Sequence, residues 1–123
     1  MTSKVIEFKR KYSFEQRFNE SQLIKIRYPD RIPIICNRYF NSNSYNTNKS
    51  KFIVPIRLTI GEFIIVIRKQ LKMSYQQSIY FIINDFIPSN KELLYNLYNN
   101  YRDQDGFLYI FYTNENTFGG INY

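Results

Sequence analysis

The first part of the chain carries hydrophobic residues at helical spacing among basic and polar ones. Residues 4–11 are basic and amphipathic, which predicts a short helix. Ser13 then opens a Ser-x-x-Gln pattern, in which a hydroxyl and an amide cap the first turn of a helix. Two phenylalanines four residues apart follow, and Pro29 ends the pattern. The sequence therefore predicts a second helix over residues 13–28.

Two apolar runs on either side of a polar segment predict a β-hairpin. Residues 31–38 have the composition of a strand, and Pro33 within them indicates an edge strand or a bulge, because proline cannot donate a ladder hydrogen bond. Residues 41–50 are polar and of low complexity, as in a loop. Residues 51–56 return as the second strand.

The run Phe63–Ile67 is rich in β-branched residues and is compatible with a strand as well as a helix. Thr59 and Glu62 form a second capping box before it, and basic residues follow it, so we predict a helix. One buried face has the spacing i, i+3, i+4, i+7, i+11 and consists of Ile60, Phe63, Ile64, Ile67 and Leu71. Val66 lies off this face, so we expect a second apolar contact there, such as a groove.

The last third of the chain adds two strands and a helix. Residues 78–83 and 107–112 are predicted strands, and Ser89 with Glu92 makes a third capping pattern before a helix that reaches Tyr101. The element order predicts an α+β fold, the ubiquitin-like β-grasp, with a four-stranded mixed sheet and crossing helices preceded by two N-terminal helices.

Composition indicates one globular domain with an excess of aromatic and basic residues. Aromatic residues make up 19% of the chain, more than one core usually needs, so some are expected to be exposed for binding. The formal charge of +7 favours acidic partners or an anionic surface, and a solvated basic face explains it equally well.

The residue types of most catalytic sites are missing. The chain has no histidine, and its single cysteine, Cys36, stands in an apolar run, so we predict a core thiol and no nucleophile. We find no catalytic residue set, no metal-ligand cluster and no phosphate loop, and we expect no enzyme and no cofactor. The start has no signal peptide, and the longest apolar run, Phe63–Ile67, is far shorter than the ~20 residues of a membrane span.

A glycine pair, Gly119 and Gly120, follows the last predicted strand. Glycine lets a backbone approach another backbone closely, as a modifier tail must when it enters an active site. The alternative is an ordinary flexible terminus.

Taken together, the motifs in order resemble the autophagy ubiquitin-like modifiers, the group that contains microtubule light-chain-three and the GABA-receptor-associated protein. The matching segments cover nearly the whole chain. They are Phe14-Glu15, Tyr28-Pro29-Asp30-Arg31-Ile32-Pro33-Ile34, Lys51-Phe52-Ile53-Val54-Pro55, Leu58-Thr59-Ile60-Gly61-Glu62-Phe63, Ile67-Arg68-Lys69, Ile87-Pro88, Phe107-Leu108-Tyr109-Ile110 and Glu115-Asn116-Thr117-Phe118-Gly119.

The resemblance implies that a cysteine protease cuts between Gly119 and Gly120, after the aromatic Phe118. Activating and conjugating enzymes would then join Gly119 to phosphatidylethanolamine, and the protein would move from the cytoplasm to the autophagosome membrane. A cut after Gly120 stays an alternative, since ubiquitin ends after a second glycine. The chain then divides into an N-terminal helical extension (1–28), a β-grasp domain (29–117) and a processed tail (118–123).

The resemblance also implies binding of cargo receptors that carry an aromatic-x-x-aliphatic motif. Such a peptide would add a strand at the edge Lys51–Val54. The implied aromatic pocket consists of Glu20, Ile24, Pro33, Lys51, Ile53 and Phe107. The implied aliphatic pocket consists of Phe52, Val54, Pro55, Leu58, Phe63, Val66 and Ile67. Acidic residues beside the motif would contact Arg31, Lys49 and Lys51. For each apolar member, plain core is the alternative.

Two other functions stay open at this stage. The chain could be a non-conjugated ubiquitin-like peptide-binding adaptor, which would remain a full-length monomer. A nucleic-acid-binding domain is disfavoured because the basic residues are scattered and form no stripe. The chain departs from the family pattern at Gln16, Phe18, Phe52, Arg57 and Gly106.

Overall fold

The computed structural model describes residues 3–39, 49–73 and 77–114, with side chains from residue 7 onward in the first range. It begins with two helices, α1 (Ser3–Lys11) and α2 (Phe14–Arg27). The predicted cap of α2 is confirmed, because the Gln16 backbone nitrogen donates to Ser13 Oγ (3.1 Å) and the Ser13 backbone nitrogen donates to Gln16 Oε1 (2.9 Å). Both predicted N-terminal helices are therefore present.

The four strands form the predicted mixed sheet. They are β1 (Arg31–Arg38), β2 (Lys51–Pro55), β3 (Tyr80–Ile82) and β4 (Leu108–Thr113), in the order β2-β1-β4-β3. β1 pairs antiparallel with β2 and parallel with β4, and β3 pairs antiparallel with β4. After the β1–β2 hairpin the chain passes through helices to the edge strand β3 and then to β4, which lies parallel to β1 at the centre of the sheet. This is the β-grasp arrangement predicted from the element order.

The prediction that Pro33 marks an edge or a bulge was wrong. β1 lies inside the sheet, between β2 and β4. Pro33 is tolerated because it stands opposite Ile53 at a position where β1 and β2 exchange no hydrogen bond, and because the pairing with β4 begins one residue later, at Ile34.

Helix α3 spans Ile60–Leu71, so the ambiguous apolar run is helical. The Glu62 nitrogen donates to Thr59 Oγ1 (3.2 Å), and the Thr59 nitrogen donates to Glu62 Oε1 (2.9 Å). Of the predicted face, Ile60, Phe63, Ile67 and Leu71 are buried and Ile64 is half-buried.

Helix α4 spans Leu94–Tyr101, and the third predicted cap was wrong. Ser89 Oγ accepts from the Lys91 nitrogen (3.2 Å) in a turn that precedes the helix. The residue at the cap position is Leu93, which has no side-chain oxygen to offer. The first turn is held by tertiary contact, since the Leu94 nitrogen donates to the Leu58 carbonyl (2.9 Å).

The two faces of the sheet are covered by two different hydrophobic clusters. The main cluster lies on the face covered by α3 and α4, and includes Phe63, Ile34 and Cys36. Burial raises the pKa of the Cys36 thiol, which agrees with the predicted core role. The second cluster lies on the face covered by α1 and α2, and consists of Ile24, Ile35 and Phe107, with Phe8, Ile53 and Tyr109 packed against it.

A polar network joins α2 to the loop before β4. The Arg17 Nε donates to Asp105 Oδ2 (3.0 Å), and the pair is almost fully buried. Ser21 Oγ donates to the Asp105 carbonyl (2.6 Å), and Tyr109 Oη donates to Asp105 Oδ2 (2.5 Å). This network and the second cluster together hold α2 on the sheet.

The contact between this loop and α2 also explains why residue 106 is a glycine. Its φ of 91° lies in the left-handed region, and a Cβ there would collide with the Ser21 side chain. A glycine at this position therefore permits the close approach of the loop to α2. In the described part of the chain, no helix is both long and apolar enough to cross a bilayer.

Candidate functional site

Strand β2 forms one edge of the sheet and directs part of its backbone outward. The Cys36 nitrogen donates to the Ser50 carbonyl (2.8 Å) and the Ile56 nitrogen donates to the Asp30 carbonyl (3.0 Å). With the observed register, alternate residues of β2 bond to β1, so the N–H and C=O groups of Lys51 and Ile53 point away from the sheet. These are the groups to which an added strand would bond.

One of these edge groups already has a partner within the chain. Arg31 Nη1 donates to the Ile53 carbonyl at 3.3 Å. An incoming strand that bonds to this carbonyl would share it with the guanidinium or displace it, since a carbonyl oxygen accepts at two lone pairs.

The residues of the predicted aromatic pocket lie together between α2 and the sheet. Ile24 and Phe107 belong to the second cluster, with Ile53 packed beside them. Pro33 is buried and faces Ile53 across the hairpin. The Lys51 and Glu20 side chains form an ion pair from β2 to α2. Of these six residues, Ile24, Pro33 and Phe107 are buried. The other three are half-buried, so a ligand would touch mainly Ile53 and the charged pair.

The predicted aliphatic pocket is largely core. Its deep members are buried, with exposed fractions of 0–6%, and they are Phe52, Val54, Phe63 and Ile67. Leu58 and Val66 are half-buried against the main cluster, and Pro55 is exposed. For the four deep residues the simple core interpretation therefore holds, and a ligand would touch mainly Pro55, Leu58 and Val66. The apolar contact expected at Val66 lies at this rim.

Each of the three cations predicted to contact acidic residues of a peptide already has a partner within the chain. Arg31 bonds to the Ile53 carbonyl, Lys51 pairs with Glu20, and Lys49 Nζ lies 5.0 Å from the centroid of the Phe52 ring. All three lie along or beside β2, so a peptide on this edge would find positive charge close to its backbone.

The predicted cleavage and conjugation residues, Phe118, Gly119 and Gly120, lie outside the described residues, as does the boundary between domain and tail. The last described residue, Asn114, directly follows the end of β4 at Thr113.

Sequence reasoning missed the residues that position this site. Arg17 and Asp105 are 88 positions apart, and the sequence around either residue does not predict that they form an ion pair. The local signal was the turn-forming Asp-Gly at Asp105 and Gly106. It indicated a turn, but not that the turn would hold Ile24 and Glu20 over the sheet.

Comparison with known proteins decides the family. Residues 16–119 match the family described as "Autophagy protein Atg8 ubiquitin like". The chain belongs to the Atg8 family. It is 44% identical over 115 residues to Autophagy-related protein 8 of Schizosaccharomyces pombe, covering 94% of this chain and 95% of that protein. Its Candida albicans counterpart is 41% identical over 113 residues, covering 92% and 84%.

Solved structures agree with the Atg8 fold. Trypanosoma brucei ATG8 superposes with a TM-score of 0.83 at 34% identity, covering 86% of this chain and 91% of that chain. Plasmodium falciparum Atg8, in complex with a Plasmodium falciparum Atg3 peptide, gives 0.78 at 33% identity, covering 88% and 95%. This Atg8-family chain is thus a ubiquitin-like modifier of autophagy, as the resemblance in sequence indicated.

Proposed function

We propose that this protein is conjugated through the carboxylate of Gly119 to phosphatidylethanolamine on autophagosomal membranes, after a protease removes residues 120–123. The observation that carries the proposal is the end of the family match at residue 119, directly after Phe118. Two acyl chains anchor a protein far more firmly than one, so a single bond to this lipid suffices for stable attachment.

The chemistry of conjugation belongs to the partner enzymes. The chain supplies a terminal carboxylate and needs no catalytic residue, cofactor or metal of its own. The complex of the Plasmodium falciparum relative with an Atg3 peptide supports a conjugating enzyme as one partner. The processing protease and the activating enzyme complete the set, and the protein is a cytoplasmic monomer before conjugation. Nucleic acid is not among the proposed partners.

A second part of the proposal concerns cargo receptors. In an extended strand, residues three apart point to opposite faces of the sheet. Apart from Pro55, the residues assigned to the two pockets lie on opposite faces at the β2 edge, the aromatic set toward α2 and the aliphatic set toward α3. A strand added beside Lys51 and Ile53 would therefore direct the aromatic residue of an aromatic-x-x-aliphatic motif to one pocket and the aliphatic residue to the other.

Affinity for such a peptide should be modest. Two anchor side chains contribute about 1.5–3 kcal/mol each, and the edge hydrogen bonds add to this while ordering of the peptide opposes it. A dissociation constant on the order of micromolar follows. Many conjugated copies on one membrane would raise the effective affinity for a receptor with several motifs.

The conjugation proposal is tested by Gly119→Ala, with Gly120→Ala as the matched control, in starved cells. Gly119→Ala should abolish both removal of the tail and membrane association, because it alters the acceptor residue itself. Gly120→Ala should retain both, because residue 120 leaves with the tail. If Gly119→Ala still moves to membranes and loses its C-terminal residues, the proposal is wrong. A full-length, soluble wild-type chain would instead support a non-conjugated adaptor acting through the β2 edge.

A further inference from the structure

A cleft of about 580 Å³ lies between α2 and the end of α4, and it shares no residue with the predicted peptide pockets. We call it the α2–α4 cleft; Phe18, Gln22 and Lys25 line it from α2, and Tyr98, Asn99 and Arg102 line it from the other side. Successive helix residues are ~100° apart, so Phe18 and Gln22 lie roughly opposite Glu20 on α2. The cleft and the predicted aromatic pocket therefore lie on opposite flanks of one helix.

Two cations, Lys25 and Arg102, line this cleft and lie against the same aromatic ring. Lys25 Nζ is 5.1 Å and the Arg102 guanidinium carbon 5.4 Å from the centroid of the same ring, that of Tyr98. Within the described ranges, neither cation has a carboxylate at ion-pair distance. Asp103 also lines the cleft, but its carboxylate is paired with Lys9 at 2.9 Å. Two cations on the lining of one cleft, neither neutralised by a carboxylate, favour an anionic ligand.

The remaining walls suit a peptide. Gln22, Asn99 and Gln104 line the cleft with side-chain amides, each of which both donates and accepts hydrogen bonds, as a peptide backbone does. At the rim, the Phe14 and Phe18 rings stack at 5.9 Å although they are 49% and 39% exposed. Exposed aromatic side chains are typical of protein interfaces.

We propose that the α2–α4 cleft binds an acidic peptide segment of a partner protein, with a carboxylate or phosphate of the peptide between Lys25 and Arg102 and an apolar neighbour on Phe18. A peptide fits better than a lipid surface, because the site is concave and carries paired donors and acceptors. Since α2 separates this cleft from the β2 edge, one molecule can hold two peptides at once.

The test is an NMR titration of the full-length, unconjugated chain with two short peptides. One is rich in aspartate and glutamate, the other carries phosphoserine, and neither contains an aromatic residue, so neither can use the predicted aromatic pocket. Salt-sensitive shifts are expected at Gln22, Asn99 and Gln104. The double change Lys25→Glu and Arg102→Glu should weaken binding about tenfold or more. Whichever peptide binds more tightly identifies the preferred anion.

The matched control reverses two exposed cations elsewhere, Arg57→Glu and Lys69→Glu, and should leave the affinity nearly unchanged. An aromatic-x-x-aliphatic peptide should bind the cleft variant as it binds the wild type. Equal weakening by both double variants would show unspecific charge attraction and overturn the proposal. So would shifts confined to the β2 edge, or shifts at the cleft caused by phosphatidylserine vesicles but by neither peptide.

Discussion

The two faces of the sheet are held by different interactions, and the difference separates the fold from the function built on it. Beneath α3 and α4, aromatic and aliphatic side chains form one continuous cluster around Phe63. Beneath α1 and α2, three buried apolar residues share the interface with a buried ion pair, Arg17 with Asp105. On this second face, Asn37 Oδ1 is buried and without a hydrogen-bond partner in the described structure.

This contrast indicates which face stabilises the fold and which face depends on the position of one helix. Apolar burial is tolerant of small shifts in position, whereas a buried ion pair stabilises only while its geometry is kept. The second face holds the predicted aromatic pocket on one flank of α2 and the α2–α4 cleft on the other. Both sites therefore depend on how firmly the Arg17 network holds one helix.

The largest expected effect concerns the main cluster. Phe63 is fully buried and contacts the rings of Phe52 and Phe81, with ring centroids 5.4 Å apart in both cases. Phe63→Ala should lower the free energy of unfolding by about 3–5 kcal/mol, through lost burial and the cavity left behind. Denaturant unfolding measures this, with Ile65→Ala on the exposed side of α3 as the control. A loss no larger than that of the control would contradict a dominant core at this site.

A more local effect is expected on the second face. Arg17→Met removes one partner of a buried pair and leaves Asp105 uncompensated, which costs up to about 3–5 kcal/mol if α2 stays docked. Release of α1 and α2 from the sheet would limit this cost. We therefore expect faster amide hydrogen exchange in α1 and α2, with little change in α3.

Tyr109→Phe is the milder matched change, because it removes only one hydrogen bond to Asp105, worth about 1 kcal/mol. It should accelerate exchange in the same helices to a lesser degree. Equal acceleration across all elements in either variant would show that the two faces unfold as one unit.

The smallest effect is a pH dependence at Asp103. Burial favours a higher pKa for this carboxyl, but the hydrogen bonds from Lys9 Nζ (2.9 Å) and the Asp105 nitrogen (3.0 Å) hold its pKa below the ordinary value. A carboxylate with a lowered pKa stabilises the fold above its unfolded-state pKa of about 3.9, and this contribution is lost as the pH falls through the folded pKa.

Thermal unfolding of Asp103→Asn beside the wild type checks this. The variant should melt at a lower temperature near neutral pH, and the difference should shrink as the pH falls toward the acid range. Lys9→Met should show the same convergence, because it removes the other half of the pair. A difference that is constant with pH in both variants would contradict an electrostatic role.

Whether a feature could be predicted from the sequence depends on how far apart along the chain its contacting residues lie. Contacts within four residues were predictable: the capping box at Thr59 identified α3 as a helix, and Ser13 placed the start of α2. The cap predicted at Ser89 failed because the first turn of α4 depends on a tertiary bond to the Leu58 carbonyl. Hairpin pairing was visible, but the central place of β1 depends on β4, about seventy residues later.

The predicted site residues could also be identified only in part from the sequence. The resemblance identified residues that do come together beside β2, such as Ile24 and Ile53. It did not separate the buried floor of the aliphatic pocket from its accessible rim at Val66, because relative exposure depends on the whole fold. The contact of both Lys25 and Arg102 with the Tyr98 ring was likewise not predictable, because it joins two segments that are distant in sequence.

The most direct test of the central claim is one intact-mass measurement of the native protein from starved cells, in the membrane fraction and in the soluble fraction. Conjugation at Gly119 predicts a chain that ends at Gly119, carrying the mass of phosphatidylethanolamine in the membrane fraction and none in the soluble one. A single species that ends at Tyr123 without lipid in both fractions would contradict it.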